Sequence, residues 1–162
     1  CEAALKQLQD VVDVNALGEL TVESFEEHKH VITDDLLMRR ARHAVYENVR
    51  TDRAAEALKA GELGTFGEYM NESHKSLDED YEVTIKATDY LARAAWKEAG
   101  VVGARMTGGG FGGCCIAIVE NEEVERFIAN VGNGFKEEIG REAEFYIAET
   151  ADGTKEWVEN GE

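Results

Sequence analysis

Proline is absent from all 162 residues. An average chain carries proline at about 5% of positions. Its absence removes the strongest helix breaker, so long uninterrupted helices are expected. Cysteine is scarce: three residues, an odd number, with Cys114 and Cys115 adjacent. That excludes a secreted disulfide scaffold and points to reduced thiols in the cytoplasm. Basic residues are few, 17 Lys and Arg against 34 Asp and Glu, for a formal charge of -17. A field of that sign repels nucleic acid and anionic membrane, and neither is expected as a partner. No apolar run approaches the ~20 residues of a membrane helix, and no charged-then-apolar signal segment opens the chain. Metal ligands at matched spacing are missing as well. His28 and His30 stand as an isolated pair on an expected solvated connection, and zinc needs more ligands. His43, among arginines, is expected at the surface. There is no initiator methionine, and Leu5, Leu8 and Val12 lie at helical spacing from the outset. The chain is therefore expected to be a piece of a longer protein.

What is present is enough apolar content, 43%, for one domain with a core over residues 1–162. Leu37, Ala41, Ala44, Val45 and Val49 form a helical stripe, with Thr33 or Asp34 as N-cap. The pattern resumes in "RAAEALKA" and stops at Gly61. Leu63, Phe66, Met70 and Leu77 make a further stripe, and Leu91, Ala92, Ala95 and Ala99 another. Residues 17–31 show little period and read as a connection. The period then changes. Residues 101–106 and 114–119 are short apolar runs of strand length. Asn121 is placed to cap a helix carrying Val124, Phe127, Ile128, Val131, Phe135 and Ile139. Residues 144–149, "EFYIAE", read as a last strand, and 151–162 as a loose tail. The fold class is α+β: mainly helical over 1–83, then α-β-β-α-β over 84–150. The second part reads as a ferredoxin-like antiparallel sheet with helices packed on one face and its first strand missing.

Between the two expected strands lies "GARMTGGGFGGCCIAIV", residues 103–119, with five glycines in the six positions 108–113. Gly108, Gly110 and Gly113 match G-x-G-x-x-G. A dinucleotide loop needs a helix after it, and "CCIAIV" is strand-like, so that reading fails. A phosphate loop of the Gly-Lys-Ser/Thr type needs a lysine that is absent, and a protein-kinase glycine loop needs one downstream. One reading is a long hairpin loop with permissive glycines, although each glycine adds unfolded-state entropy that an idle hairpin need not carry. The sharper reading is a backbone that must approach something closely, with no room for side chains. An acidic total does not exclude a nucleotide, because a local nest of N–H groups binds phosphate regardless of net charge.

Four stretches carry a resemblance, and together they span nearly the whole chain: "CEAALKQL", "RRARHAVYENVR", "ALKAGELGTFGEYMNESHKSLDEDYEVT" and "GARMTGGGFGGCCIAIV". In order and spacing they resemble galactokinases, of the GHMP family of small-molecule kinases, in their C-terminal half only. The resemblance implies a share in transferring the γ-phosphoryl group of ATP, with Mg2+, to the anomeric hydroxyl of galactose. It also implies an N-terminal domain on the same polypeptide that carries the catalytic base, the phosphate loop and the metal ligands. This chain alone is then inactive, with no catalytic residue and no metal site of its own. Its open edge and bare domain face invite self-association. The alternative reading is a non-catalytic sugar-sensing or interaction module on the same fold. Another GHMP kinase, acting on mevalonate or homoserine, fits the glycine motif less well.

The implied cleft loop comprises Arg105, Met106, Thr107, Gly108, Gly109, Gly110, Phe111, Gly112 and Gly113. Arg105 either faces the cleft or caps the strand. Asn71, Ser73, His74 and Ser76 either face the same cleft or form helix caps and an inter-helix hydrogen-bond network. The acidic run "LDEDYE" reads as a solvated helix end. After "YEV", many galactokinases have Ser or Thr, then Glu three residues later, a capping box. Here Thr84 and Asp89 are kept, but Ala87 stands in place of the Glu and Thr88 in place of a Leu, with Lys86 in the first turn. Losing the box should cost about 1 kcal/mol, so Ala87→Glu is expected to stabilise.

Overall fold

With no proline to stop it, the third helix runs for 26 residues. A computed structural model describes residues 1–149 and Gly153 of the chain. Its first helices are α1 (Glu2–Gln9), α2 (Val22–His28) and α3 (Asp35–Ala60). Asp34, not Thr33, caps α3, its Oδ1 accepting from the Leu37 N–H at 2.9 Å. Gly61 ends it in the left-handed region (φ 75°). Ala41 and Val45 of α3 pack with Ala4, Leu8, Phe25 and Ile32 in the N-terminal core. The stretch 17–31 is not a bare connection. It holds α2, capped by Thr21, whose Oγ1 accepts from the Ser24 N–H at 3.1 Å. Seven residues span only two turns, and only Phe25 of them is fully buried, so no period shows in the sequence.

The helix α4 (Leu63–Ser76) follows α3 after a short turn and packs along it. A π-helical turn, Leu77–Tyr81, extends it, and Glu82 in the left-handed region (φ 54°) reverses the chain. The reversal brings the acidic run back onto α3, so it is ion-paired and not a solvated helix end. Glu82 pairs with Arg39 at 2.9 Å and Arg40 at 2.5 Å, and Asp80 pairs with Arg42.

The helix α5 (Lys86–Ala95) starts one residue later than the sequence suggests, after Ile85. That shift puts Thr88 in the third helical position. Its Oγ1 accepts from the Ile85 N–H at 3.1 Å, doing the work of the absent Glu. Thr84 instead donates to Asp78 at 3.3 Å, and Ala87 is buried.

The strands β1 (Val101–Thr107) and β2 (Cys114–Val119) pair antiparallel, with Met106 opposite Cys115 and Thr107 opposite Cys114. The helix α5 lies against both strands, and α6 (Val124–Ile139) packs on α5, where Tyr90 meets the Phe135 ring edge-on at 5.9 Å. Asn121 does not cap α6. It opens a short 3-10 turn, and Glu123 precedes the helix without a side-chain cap bond.

Residues 144–149 are not a strand: their backbone finds no ladder partner among the described residues. Phe145 packs edge-on to Phe127 of α6 at 6.3 Å, while Tyr146 and Ile147 stay largely exposed. Apolar–polar alternation records which side chains want burial. It does not supply a neighbouring edge, which a strand also needs. The expected tail, 151–162, lies outside the described residues apart from Gly153.

Candidate functional site: a glycine loop on a strand edge held by side chains

Strand β1 delivers the glycine loop, and α4 holds β1. The two approach through Gly67 and Gly103, close enough for side chains of α4 to reach the backbone edge of the strand. Asn71 Oδ1 accepts from the Ala104 N–H at 2.9 Å. One turn on, His74 Nδ1 accepts from the Met106 N–H at 3.1 Å. Alternate residues of a strand point their N–H groups the same way. Residues 71 and 74 are neighbours on a helix face, so the two periods match over this span. Trp96 adds a third side-chain bond, donating its Nε1–H to the Ala104 carbonyl at 2.9 Å.

Ser73 and Ser76 face α3. Ser73 donates to Glu47, and Ser76 donates to Asp80 Oδ2 at 3.2 Å. His43 Nδ1 lies 2.9 Å from the Ser76 oxygen. Since Ser76 gives its proton to Asp80, His43 is the donor in that pair. Asn71, Ser73, His74 and Ser76 are thus joined to neighbouring elements by hydrogen bonds. His43 is not at the surface. It is buried and stacked on Tyr81 at 4.5 Å, and burial pushes its pKa down. The surrounding arginines hid it, because they turn toward Glu82 and Asp80 while the imidazole turns inward.

Arg105 caps its own strand and also reaches α3. Its Nε donates to the Met106 carbonyl at 3.0 Å, and its Nη1 lies 3.4 Å from Glu47 Oε1. Glu47, which also pairs with Arg50, is a hub that the sequence reading missed. Its spacing of four from His43 was the available signal. Arg105 and Thr107 line a cavity of about 550 Å3 between α3, α4 and the sheet, walled by Leu58, Phe66 and Ile116.

The loop itself has two halves of different character. Gly110 (φ 87°) packs on residue 83, where a Cβ would lie 2.5 Å from the Val83 carbonyl oxygen. That carbonyl accepts the Phe111 N–H at 2.6 Å, with Phe111 itself in the left-handed region (φ 59°). Gly108, Gly109 and Gly112 are open: a Cβ there meets nothing within 4 Å. Gly109 lacks even a positive φ, so nothing inside the described chain requires glycine there. The Phe111 ring is 77% exposed.

Of the two cysteines after the loop, Cys115 packs against Leu77, Val83 and Met106, while Cys114 is exposed. His28 and His30 bond to carbonyls of their own segment, at 2.9 Å each. Among the described residues no group of three or more His, Cys, Asp or Glu is placed to hold a metal ion. No described helix is long and apolar enough to cross a membrane.

A family model described as "GHMP kinases C terminal" matches residues 54–137. The galactokinase of Lactiplantibacillus plantarum is 54% identical over 156 residues, covering 96% of this chain and 40% of that protein. The galactokinase of Clostridium acetobutylicum is 53% identical over 155 residues, with the same shares. The crystal structure of Lactococcus lactis galactokinase complexed with galactose superposes with a TM-score of 0.88 at 51% identity. That match covers 90% of this chain and 37% of the other. The chain spans about two fifths of the length of the curated relatives it matches.

Proposed function

The chain belongs to the GHMP kinase family, as its C-terminal domain, and we propose that it forms the C-terminal portion of a galactokinase. In this reading the whole polypeptide transfers the γ-phosphoryl group of ATP to the anomeric hydroxyl of galactose. The carrying observation is identity above 50% to galactokinases over nearly the whole chain. The open half of the loop supports it. Gly109 has neither a close contact nor a positive φ to require glycine, so we assign the surface that would exclude a Cβ there to the remaining polypeptide.

Phosphoryl transfer depends on positioning and charge neutralisation more than on covalent chemistry by the protein. This chain's part is positioning. The loop offers backbone N–H groups with no side chain in the way of a phosphate oxygen or a facing loop. Among the described residues no group of three or more His, Cys, Asp or Glu fits a Mg2+ site, and we place the catalytic base elsewhere too. We assign both roles to the remaining polypeptide, which makes this chain inactive by itself. The three free cysteines suit a cytoplasmic enzyme. The edge of β2, unpaired among the described residues, and the exposed Ile116 are reasons to expect the isolated chain to self-associate. The relatives and the structural neighbour give the sugar-sensing alternative no support.

The test is galactose-dependent formation of ADP. Activity is expected from the full-length polypeptide, none from this chain, and recovery when this chain is mixed with a separately made N-terminal portion. A folded full-length protein that binds galactose without turning over ATP would overturn the kinase reading in favour of the sensor.

A further inference from the structure

Among the described residues, two buried side-chain atoms lack a hydrogen-bond partner, His74 Nε2 and Asp89 Oδ1. They face each other at 3.5 Å. The His74 ring has no exposed surface and packs edge-on against Trp96 at 5.7 Å. Its other nitrogen settles the tautomer. The Met106 N–H can only donate, so Nδ1 must be bare, and in a neutral ring the proton then sits on Nε2, the nitrogen 3.5 Å from Asp89 Oδ1. Met106 is two residues before Gly108. Its N–H is the last β1 donor that α4 holds before the loop.

We propose that His74 and Asp89 are a positioning pair: Asp89 holds the ring in its Nε2–H tautomer so that the bare Nδ1 anchors Met106 and sets where residues 108–113 stand. The inference rests on the reading of that loop as part of a kinase site. Neither residue touches a reacting atom. A proton added at Nδ1 would set donor against donor at Met106, so the anchored loop requires a neutral ring. The charged groups facing the ring are Asp89 and Arg93 of α5, Asp78 of the π-helical turn and Arg105 of β1. Burial holds the His74 pKa below its ordinary 6.5, the two aspartates draw it up, and the two arginines push it down.

The first test uses nitrogen NMR of the His74 ring in the full-length polypeptide at neutral pH. A proton on Nε2 and a bare Nδ1 are expected, and the opposite tautomer overturns the inference. That readout needs no catalysis, so it stands even if the kinase reading fails. The second test is the pH profile of kcat/KM for ATP. His74→Asn places an acceptor oxygen near Nδ1, and should keep kcat/KM within about threefold while losing the acid limb. His74→Leu removes the acceptor and should lose about tenfold or more. Asp89→Asn removes the charge that draws the ring pKa up, so the acid limb should move to lower pH. An acid limb unmoved in both Asn variants overturns the inference. Those variants decide the matter even if His74→Leu does not fold.

Discussion

Gly67 and Gly103 meet backbone to backbone: a Cβ on Gly103 would lie 2.6 Å from the Gly67 Cα, and one on Gly67 would overlap the Val102 carbonyl oxygen. This contact lets α4 lie close enough to β1 for Asn71 and His74 to bond to its edge. Gly67→Ala and Gly103→Ala should each destabilise by about 1–3 kcal/mol, as overpacking against backbone does. The melting temperature should fall by about 2–4 °C per kcal/mol. Gly64, on the same helix with nothing within 4 Å of its Cβ, is the control. There Ala should stabilise by up to about 1 kcal/mol. Equal effects at 64 and 67 would refute the close-approach account.

The two halves of the glycine loop should respond differently. Gly110→Ala meets both a positive φ and the Val83 carbonyl, so it should disturb the loop in the chain itself. Gly109→Ala meets neither and should leave the melting temperature unchanged. In the full-length polypeptide it should nonetheless reduce kcat/KM for ATP. Unchanged kinetics for Gly109→Ala would remove the argument that another surface packs on the open half.

Ala87→Glu, which looks stabilising in the sequence, should destabilise. Ala87 is 8% exposed, and Thr88 already bonds the Ile85 N–H. Burying an unpaired carboxylate there should cost on the order of 1–3 kcal/mol. Thermal denaturation measures it, and a raised midpoint would mean that α5 starts at Thr84 after all.

Stability should decline as the pH drops below about 6.5. His43 and His74 both have pKa values lowered from 6.5, chiefly by burial. The unfolded chain then binds more protons than the fold as pH falls below 6.5, so stability contributed by the neutral rings is full above that value and lost below it. A second loss belongs to Glu82, which Arg39 and Arg40 hold down at about 2. Its contribution is present above its ordinary 4.5 and disappears between there and about 2. Denaturation midpoints measured from pH 8 to 3 should show the histidine phase first, and the variant lacking both imidazoles should lose it.

The adjacent cysteines should differ in reactivity. Burial pushes the Cys115 thiol up to about 12, while Cys114 is exposed. The thiolate is the reactive form, so a disulfide reagent near pH 8 should label Cys114 and spare Cys115 until the protein unfolds. Equal rates in the native state would contradict the packing of Cys115 between Met106 and α5.

The successes and failures of the sequence reading divide by range. Gly61 is legible as the stop of α3, and its start is legible to within Thr33 or Asp34, because capping is chemistry within four residues. The hairpin of β1 and β2 was legible because two apolar runs flank a loop that no helix tolerates. His43 was misplaced because its partners, Ser76 and Tyr81, lie more than thirty residues away. The start of α5 was misjudged by one residue because Thr84 has a distant alternative partner in the π-helical turn, Asp78, which local pattern does not show.

By itself, the sequence determined the helical stripes, the glycine loop between two strands, and membership of a kinase family. All of these rest on local spacing or on motifs that survive translation into a string. Only the tertiary structure decided that Asn71 and His74 hold a strand edge, that Glu47 gathers Arg50, Ser73 and Arg105, and that residues 144–149 find no ladder partner among the described residues. The physical reason is that apolar period follows from neighbours along the chain. A hydrogen-bond partner, or a missing one, is a fact about neighbours in space.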